Sequence, residues 1–340
     1  MTTTIARGDL DHAFERHRRE LTAHCYRMLG SAAEAEDAVQ ETMLRAWRSR
    51  DRFAGRSSLR TWLYRIATNV CLDQLRGRRR RALPMDLGPG TSGAIDHAGA
   101  VRGETTWVGP IADERVVPTE ADPAEVAVFR DSVRLGFIAA LQRLPSRQRA
   151  VLLLREVLRW PAADVADLLD ASVASVNSAL QRARASLKDQ HLTDGDPFAP
   201  MDDQQQALLA RYVDAFERYD LAELATLMRD DAVQSMPPYE LWLEGPDTIT
   251  AFWAGPGAAC RGSRLLPTVA NGRPAFGQYR PSGPGGRHEP WALQVLETSG
   301  GRITGFTFFL DTDRVFPLFG LSARLDDGDD AAVTATPGAG

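Results

Sequence analysis

At 340 residues the chain is long enough for two or three domains, each able to bury its own core, which excludes a single small module. Its formal charge of -5 at pH 7 conceals a segregation: residues 1–82 carry 17 Arg/Lys against 10 Asp/Glu and 132–190 carry 9 against 5, whereas 83–131 carry 3 against 9 and 191–340 carry 11 against 21. Alternating basic and acidic blocks imply two polyanion-binding modules, separated and followed by segments able to mask them. Three widely spaced cysteines, Cys25, Cys71 and Cys260, exclude a disulfide framework and a zinc site, so neither a metal nor a cofactor is expected. The absence of an apolar leader or of a run of about 20 apolar residues predicts a cytoplasmic protein with no membrane partner.

From about Leu10 to Arg81 an Ala/Leu/Arg/Glu-rich pattern predicts three or four helices, with one break at 53–58. One helix sets Asp37, Gln40, Glu41 and Arg45 on a polar face, with Val39, Met43 and Trp47 along another; taken alone, such a face is solvated surface. After the Gly55/Ser57/Ser58 loop comes a helix with Leu59, Leu63, Ile66 and Val70 inward. Arg60, Arg65, Asn69 and Arg76 lie on its other side, and the run 78–81 is all arginine. Such a helix offers phosphates several cationic contacts, and the small-residue loop beside it suits an unstacked base. Trp47 and Trp62 read as core residues.

The stretch from Leu83 to Pro123 holds Pro84, Gly88-Pro89-Gly90, Gly93, Gly99, Gly103, Gly109-Pro110, Pro118 and Pro123, too many breakers for a helix or a central strand, and reads as a linker. Helical periodicity resumes at Val133 and runs, with breaks at Pro145 and Pro161, to Leu187, giving a four-helix module. Within it a short helix, 162–169, a turn at 170–172 and a longer basic helix, 173–189, fit a helix-turn-helix. Ser172, Ser175, Asn177, Ser178, Gln181, Arg182 and Arg184 are the polar residues of the second helix, and Val176, Leu180, Ala183 and Leu187 its inward stripe. Amides read adenine, and arginines read guanine or hold phosphate.

Past a second linker, 193–200, two helices (204–219 and 221–228) lead into candidate strands 232–236, 264–270, 274–279, 291–297 and 303–310, an α+β order. The Asp-rich, Pro/Gly/Ala-ending tail, 322–340, reads as disordered.

The run "AEDAVQETMLRAWRSRDRFAGRSSLRTWLYRIATNVCLDQLRGRRRR" resembles region two of the extracytoplasmic-function sigma factors, and "LQRLPSRQRAVLLLREVL" through "SVNSALQRARASLK" resembles their region four. The resemblance implies that Asp37, Gln40, Glu41 and Arg45 dock on the clamp helices of the largest RNA polymerase subunit. It further implies that Phe53, Arg56, Ser57, Ser58, Arg60, Arg65, Asn69 and Arg76 open and read the minus-ten element. Residues 172–184 would read the minus-thirty-five element, with the flap of the second-largest subunit as a further partner. Asp170 stands where that family often has glycine, at a turn whose left-handed conformation Asp tolerates.

The C-terminal segment, ending "ITGFTFFLDTDRVFPLFGL", resembles the SnoaL-like branch of the NTF2 superfold, a cone with one mouth. Candidate pocket residues are Trp242, Trp253, Phe276, Tyr279, His288, Trp291 and Asp311. Asp311 and His288 form a conceivable acid/base pair, but no spacing specific to a chemistry is present, so no enzyme is expected and His288 reads as a surface strand residue. In sigma factors of this build the extension stands in for a separate anti-sigma protein, and the resemblance implies that "TVANGRPAFGQY" contacts the N-terminal modules.

The expected organisation is therefore multidomain: two all-α DNA-binding modules followed by an α+β cone. Region two spans 8–82, an acidic linker 83–131, region four 132–190, the SnoaL-like domain 201–321 and the tail 322–340. The expected function is a sigma factor that directs core polymerase to promoter DNA, with the fused domain regulating it. The alternative is a DNA-binding regulator fused to a ligand-binding or polyketide-cyclase-like domain.

Overall fold

Small polar residues placed just before apolar runs start the helices of the first module. Ser31 Oγ accepts from the Glu34 N–H at 3.4 Å and Ser58 Oγ from the Thr61 N–H at 3.1 Å, each capping a free helix N-terminus. The computed structural model, which describes residues 7–50, 53, 57–91, 100–118, 126, 129–188, 203–282 and 287–325, has three helices here: α1 (Arg7–Leu29), α2 (Ala32–Ser49) and α3 (Leu59–Gln74). Leu21, Tyr26, Val39, Leu63, Tyr64 and Val70 are buried where they meet. So are the thiols of Cys25 and Cys71, which are free. His24 is wholly buried beside Arg27, and burial first, then that charge, drives its imidazole pKa down to about 3, so the ring is neutral.

The second module contains α4 (Leu135–Arg143), α5 (Ser146–Leu152), which runs on into a π turn (Leu153–Val157), α6 (Ala162–Leu169) and α7 (Val173–Lys188). The turn between the last two places Asp170 at φ 48°, ψ 59°, the left-handed conformation expected of it. Ser172 Oγ then caps α7 by accepting from the Ser175 N–H at 3.1 Å.

The chain divides into two units, Met1–Ala82 with Thr105–Leu192 and Leu83–Glu104 with Thr193–Gly340. The expected free linker is accordingly split between them. Residues 105–118 are no solvated spacer, because Trp107, Val108, Ile111, Ala112 and Val116, scattered among the breakers, are all buried. Ala82 and Trp107 form a parallel bridge that closes the base of the excursion 83–104. Tyr26 donates to the Gly109 carbonyl at 2.7 Å, and Arg81 donates to the Trp107 carbonyl at 2.7 Å.

In the second unit, α8 (Asp203–Arg218) and α9 (Leu221–Leu227) precede a six-stranded sheet of order β2-β1-β6-β5-β4-β3. The strands are β1 (Met228–Ser235), β2 (Trp242–Glu244), β3 (Arg264–Ala270), β4 (Arg273–Pro281), β5 (His288–Ser299) and β6 (Arg302–Phe309). Only β1 and β6 pair in parallel; the other neighbours are antiparallel. The hairpin β3–β4 turns on Asn271 and Gly272, at φ 57° and 69°, the two left-handed residues that a tight primed turn demands. One sheet face packs on α8, α9 and α10 (Pro246–Ala254) through Tyr212, Phe216, Trp253, Phe276, Leu296 and Phe306. On β4, Tyr279 meets Phe316 of α11 (Thr312–Leu318) edge to face at 5.2 Å. The elements β2, α10 and α11 were not expected from the sequence.

Candidate nucleic-acid and polymerase interfaces

On α2, Asp37 and Gln40 are exposed and Glu41 and Arg45 partly so, one helical face as the spacing predicts. Leu44 shares that face at 50 % exposure, an apolar residue in open solvent that the sequence reading did not single out. Arg45 is tied down: its guanidinium donates to Glu41 at 2.7 Å and to Asp73 of α3 at 2.9 Å, and these carboxylates raise its pKa. Trp47, expected to be core, is only half-buried, as is Met43, and Arg50 stacks on the Trp47 ring at 5.3 Å.

The residues expected to read the minus-ten element do not form one surface. At about 100° per residue, Arg60 lies about 140° round α3 from Arg65. The structure turns it toward α1, where Glu20 accepts from its Nε at 2.7 Å and its Nη2 at 2.5 Å, over the ring of Tyr64. Burial opposes ionisation of Glu20, but the Arg60 and His17 contacts outweigh it and hold the carboxyl below its ordinary range. Arg65 and Asn69 are exposed together on another side of α3, and Arg76, in the turn beyond its end, is exposed and pairs with Asp73 at 3.3 Å. Trp62, expected to be core, is half-buried there against Phe53, ring centroids 5.2 Å apart. Ser57 and Ser58 are exposed, although the Ser58 hydroxyl is engaged as the helix cap. Arg56 lies outside the described residues. Of the basic run, Arg78 and Arg81 both pair with Glu34, at 2.7 and 2.8 Å, while Arg79 and Arg80 stand exposed.

Helix α7 presents Ser175, Asn177, Ser178, Gln181, Arg182 and Arg184 to solvent, opposite buried Val176, Leu180 and Ala183. Ser172, at its start, is also exposed. Arg184 leans on Glu156 of the π turn at 2.5 Å. This is the geometry of a recognition helix, an exposed polar arc on a short helix-turn-helix.

The pocket residues of the second unit scatter rather than converge. Trp253 is buried and donates to Gln234 at 2.7 Å, and Phe276 is in the same core. Tyr279 donates to the Ser322 carbonyl at 2.9 Å on the α11 side. Trp291 is half-buried under Arg280, 3.9 Å from guanidinium to ring centroid. His288 is partly exposed, its ring 3.0 Å from the Gly262 carbonyl. Asp311 is exposed just before α11, its carboxyl pushed up by burial and by Asp313. The β5–β6 pairing ends at Leu293↔Phe309, so both His288 and Asp311 lie beyond the paired register. Trp242 points its Nε1–H at the Gly88 carbonyl, 3.0 Å away. A buried ladder was invisible in the sequence: Tyr212 donates to Gln294 at 2.6 Å, Gln294 to Gln278 at 2.9 Å and Gln278 to Ser263 at 3.0 Å.

A basic helical module with a capped, arginine-bearing helix, joined to a helix-turn-helix, defines a promoter-binding class of protein. Residues 13–81 match the family Sigma-70 region 2, residues 134–187 match Sigma-70, region 4, and residues 209–306 match the SnoaL-like domain. The chain is 47% identical over 324 residues to the ECF RNA polymerase sigma factor SigG of Mycobacterium tuberculosis strain H37Rv, covering 94% of this chain and 85% of that protein. It is 30% identical over 166 residues to SigW of Bacillus subtilis strain 168, covering 49% of this chain and 80% of that one. The crystal structure of the Mycobacterium tuberculosis sigma factor SigJ superposes with a TM-score of 0.59 at 20% identity, covering 92% of this chain and 100% of that one. The chain belongs to the extracytoplasmic-function sigma factors, the subunits with which RNA polymerase core finds promoter DNA, and carries a fused SnoaL-like domain. Among the described residues no helix is long and apolar enough to cross a membrane.

Proposed function

We propose that this sigma factor divides its work among three surfaces and places them under the control of its C-terminal domain. The α2 face of Asp37, Gln40, Glu41 and Leu44 meets the clamp helices of the largest polymerase subunit, with Arg45 bracing it against α3. Arg65, Asn69 and Arg76, with Phe53, Ser57 and Ser58, engage the opened minus-ten strand. The α7 arc from Ser172 to Arg184 enters the major groove at the minus-thirty-five element, and the second module also meets the flap of the second-largest subunit. The protein works in the cytoplasm, and its C-terminal domain is no enzyme. In support of that last point, His288 faces the Gly262 carbonyl and Asp311 faces Arg314, and the sheet face that meets the helices carries a glutamine ladder whose members bond to one another.

The observation that carries the regulatory reading lies within the second unit, where the excursion from the linker is held by the 237–242 loop. Val101 and Tyr239 form an antiparallel bridge, and the Arg102 N–H donates to the Pro238 carbonyl at 3.0 Å and the Glu240 N–H to the Ala100 carbonyl at 3.1 Å. Arg102 pairs with Glu240 and Arg314 with Glu104. The Thr91 N–H donates to the Trp242 carbonyl at 2.9 Å. The Trp242 ring lies so close to Gly90 that an added Cβ there would meet it at 3.1 Å. A domain that grips the connection between two promoter-reading modules governs how that connection extends.

Run-off transcription with purified core, comparing the full chain, a truncation at residue 196 and Trp242→Ala, tests this. Trp242→Ala is expected to reproduce the change in transcript yield that the truncation causes. A truncation effect that Trp242→Ala leaves untouched contradicts the grip on the linker as the means of control.

A further inference from the structure

Between α5 and the helix-turn-helix the chain widens into the π turn 153–157, closed by a bond from the Leu158 N–H to the Leu153 carbonyl, five residues back, at 3.0 Å. The turn is anchored on both sides. Leu153 and Leu154 are buried before it and Trp160 after it, the Trp160 N–H donates to the Leu154 carbonyl at 2.9 Å, and the Arg155 guanidinium reaches forward to the Trp160 carbonyl. A π turn holds one residue more than an α turn, and the extra residue rotates the side chains that follow by about 100°. Glu156 sits inside this turn and points at α7, where it accepts from Arg184 Nη2 at 2.5 Å across 28 residues of sequence.

Arg184 closes a row. Asn177, Gln181 and Arg184, at i, i+4 and i+7, follow one another along one side of α7, and all three are exposed. Ser175, Ser178 and Arg182 make a second row with the same spacing, but Arg182 forms no ion pair among the described residues. The two arginines of the arc are therefore held differently, one braced and one free. An unbraced arginine on a helix that enters a groove neutralises whichever phosphate it reaches, on any sequence. A braced one keeps a single place, at a fixed offset from Gln181, and only its Nη2 is engaged, which leaves Nε and Nη1 to donate to DNA. The carboxylate that braces it also repels backbone phosphates, which penalises DNA bound out of register. Glu156 and Arg184 are 35 % and 55 % exposed, so the pair adds little to the stability of the fold; what it supplies is direction.

We infer that Glu156 is a specificity-determining positioning residue for the minus-thirty-five element: it holds Arg184 at the end of the row of Asn177 and Gln181 and withholds that charge from the phosphates of unrelated DNA. The π turn is the device that aims it.

The inference rests on the reading of α7 as the minus-thirty-five reader, and one experiment separates the two. Holoenzyme made with the full chain, as wild type, Glu156→Gln, Arg184→Gln or both changes together, is titrated over a series of KCl concentrations on a fragment that the wild type transcribes and on the same fragment with its minus-thirty-five element scrambled. Glu156→Gln keeps the size of the side chain at a partly exposed position, so the fold is not at risk. It is expected to raise affinity for the scrambled fragment and to lower the ratio of the two affinities by about threefold, the scale of one exposed ion pair. Salt dependence on the scrambled fragment is expected to steepen by about one released counterion, as Arg184 turns to a phosphate. With Arg184→Gln already present, Glu156→Gln is expected to leave the ratio where it is. A Glu156→Gln holoenzyme with the wild-type ratio and salt dependence overturns the inference, as does a fall of the same size with Arg184→Gln present. A wild-type holoenzyme that binds both fragments alike instead overturns the reading of α7 on which the inference stands.

Discussion

Phe306→Ala is expected to remove about 3–5 kcal/mol from the stability of the second unit. Phe306 is 2 % exposed and stands where three aromatic contacts meet, 5.8 Å from Tyr212, 5.6 Å from Trp253 and 6.1 Å from Phe308 between ring centroids. It lies on β6, the central strand that pairs in parallel with β1 and antiparallel with β5, so the backbone around it has little freedom to collapse into the space left behind. Whole-chain stability typically totals about 5–15 kcal/mol, so a loss of this size brings the unit close to its unfolding threshold. Urea unfolding followed by tryptophan fluorescence measures it directly, because Trp253 reports from the same cluster. An unfolding midpoint unchanged within error contradicts the assignment of Phe306 to the core.

Gln294→Leu tests the buried ladder and is expected to cost about 3 kcal/mol, although leucine is the more apolar residue. The reason is the asymmetry of buried hydrogen bonds. Leucine leaves the Tyr212 hydroxyl without its acceptor and Gln278 Oε1 without its donor, each a buried polar group stranded at about 1–3 kcal/mol. Tyr212→Phe strands one buried group, Gln294 Oε1, rather than two and leaves Gln294 its bond to Gln278, so a smaller loss of about 1–2 kcal/mol is expected. Burial already holds the Tyr212 phenol well above its ordinary pKa, so its proton stays on and the hydroxyl remains a donor. Calorimetric unfolding of the two variants ranks them, and Gln294→Leu as stable as the parent chain contradicts the ladder.

Helices and strands were legible in the sequence where periodicity and punctuation agreed. The strand expected at 264–270 is one, and Ser31, Ser58 and Ser172, which the sequence analysis did not read as caps, each cap a helix. The elements missed were short or irregular: three residues at 242–244, and two helices of 9 and 7 residues, one opened by a proline and the other containing one. The linker misled for a different reason. Its breakers forbid regular structure but not burial, and Trp107, Val108, Ile111 and Val116 bury themselves from irregular backbone.

Side-chain roles were less legible, because an arginine on a basic helix looks the same in a sequence whether it faces water, DNA or a carbonyl. Arg27 and Arg149 counted toward a basic block and proved to be buried. Arg60, grouped with Arg65 and Asn69 by composition, is pulled by Glu20 to another side of the helix. The polar arc of α7 survived intact because helical geometry alone determines it. The candidate pocket residues are divided between core and surface, since aromatic residues in a sheet protein mark the core as readily as a cavity.

Under the proposed function, two modules of one chain bring core polymerase to promoters by reading two separate elements. Run-off transcription on a pool of upstream genomic fragments, with purified core and either the full chain or Arg182→Ala, tests it most directly. The full chain is expected to yield discrete, core-dependent transcripts. Arg182→Ala is expected to reduce them about tenfold or more, since a base- or phosphate-contacting arginine is worth about 1–3 kcal/mol. No core-dependent transcript from the full chain, or transcripts indifferent to Arg182, would rule out promoter reading by these two modules.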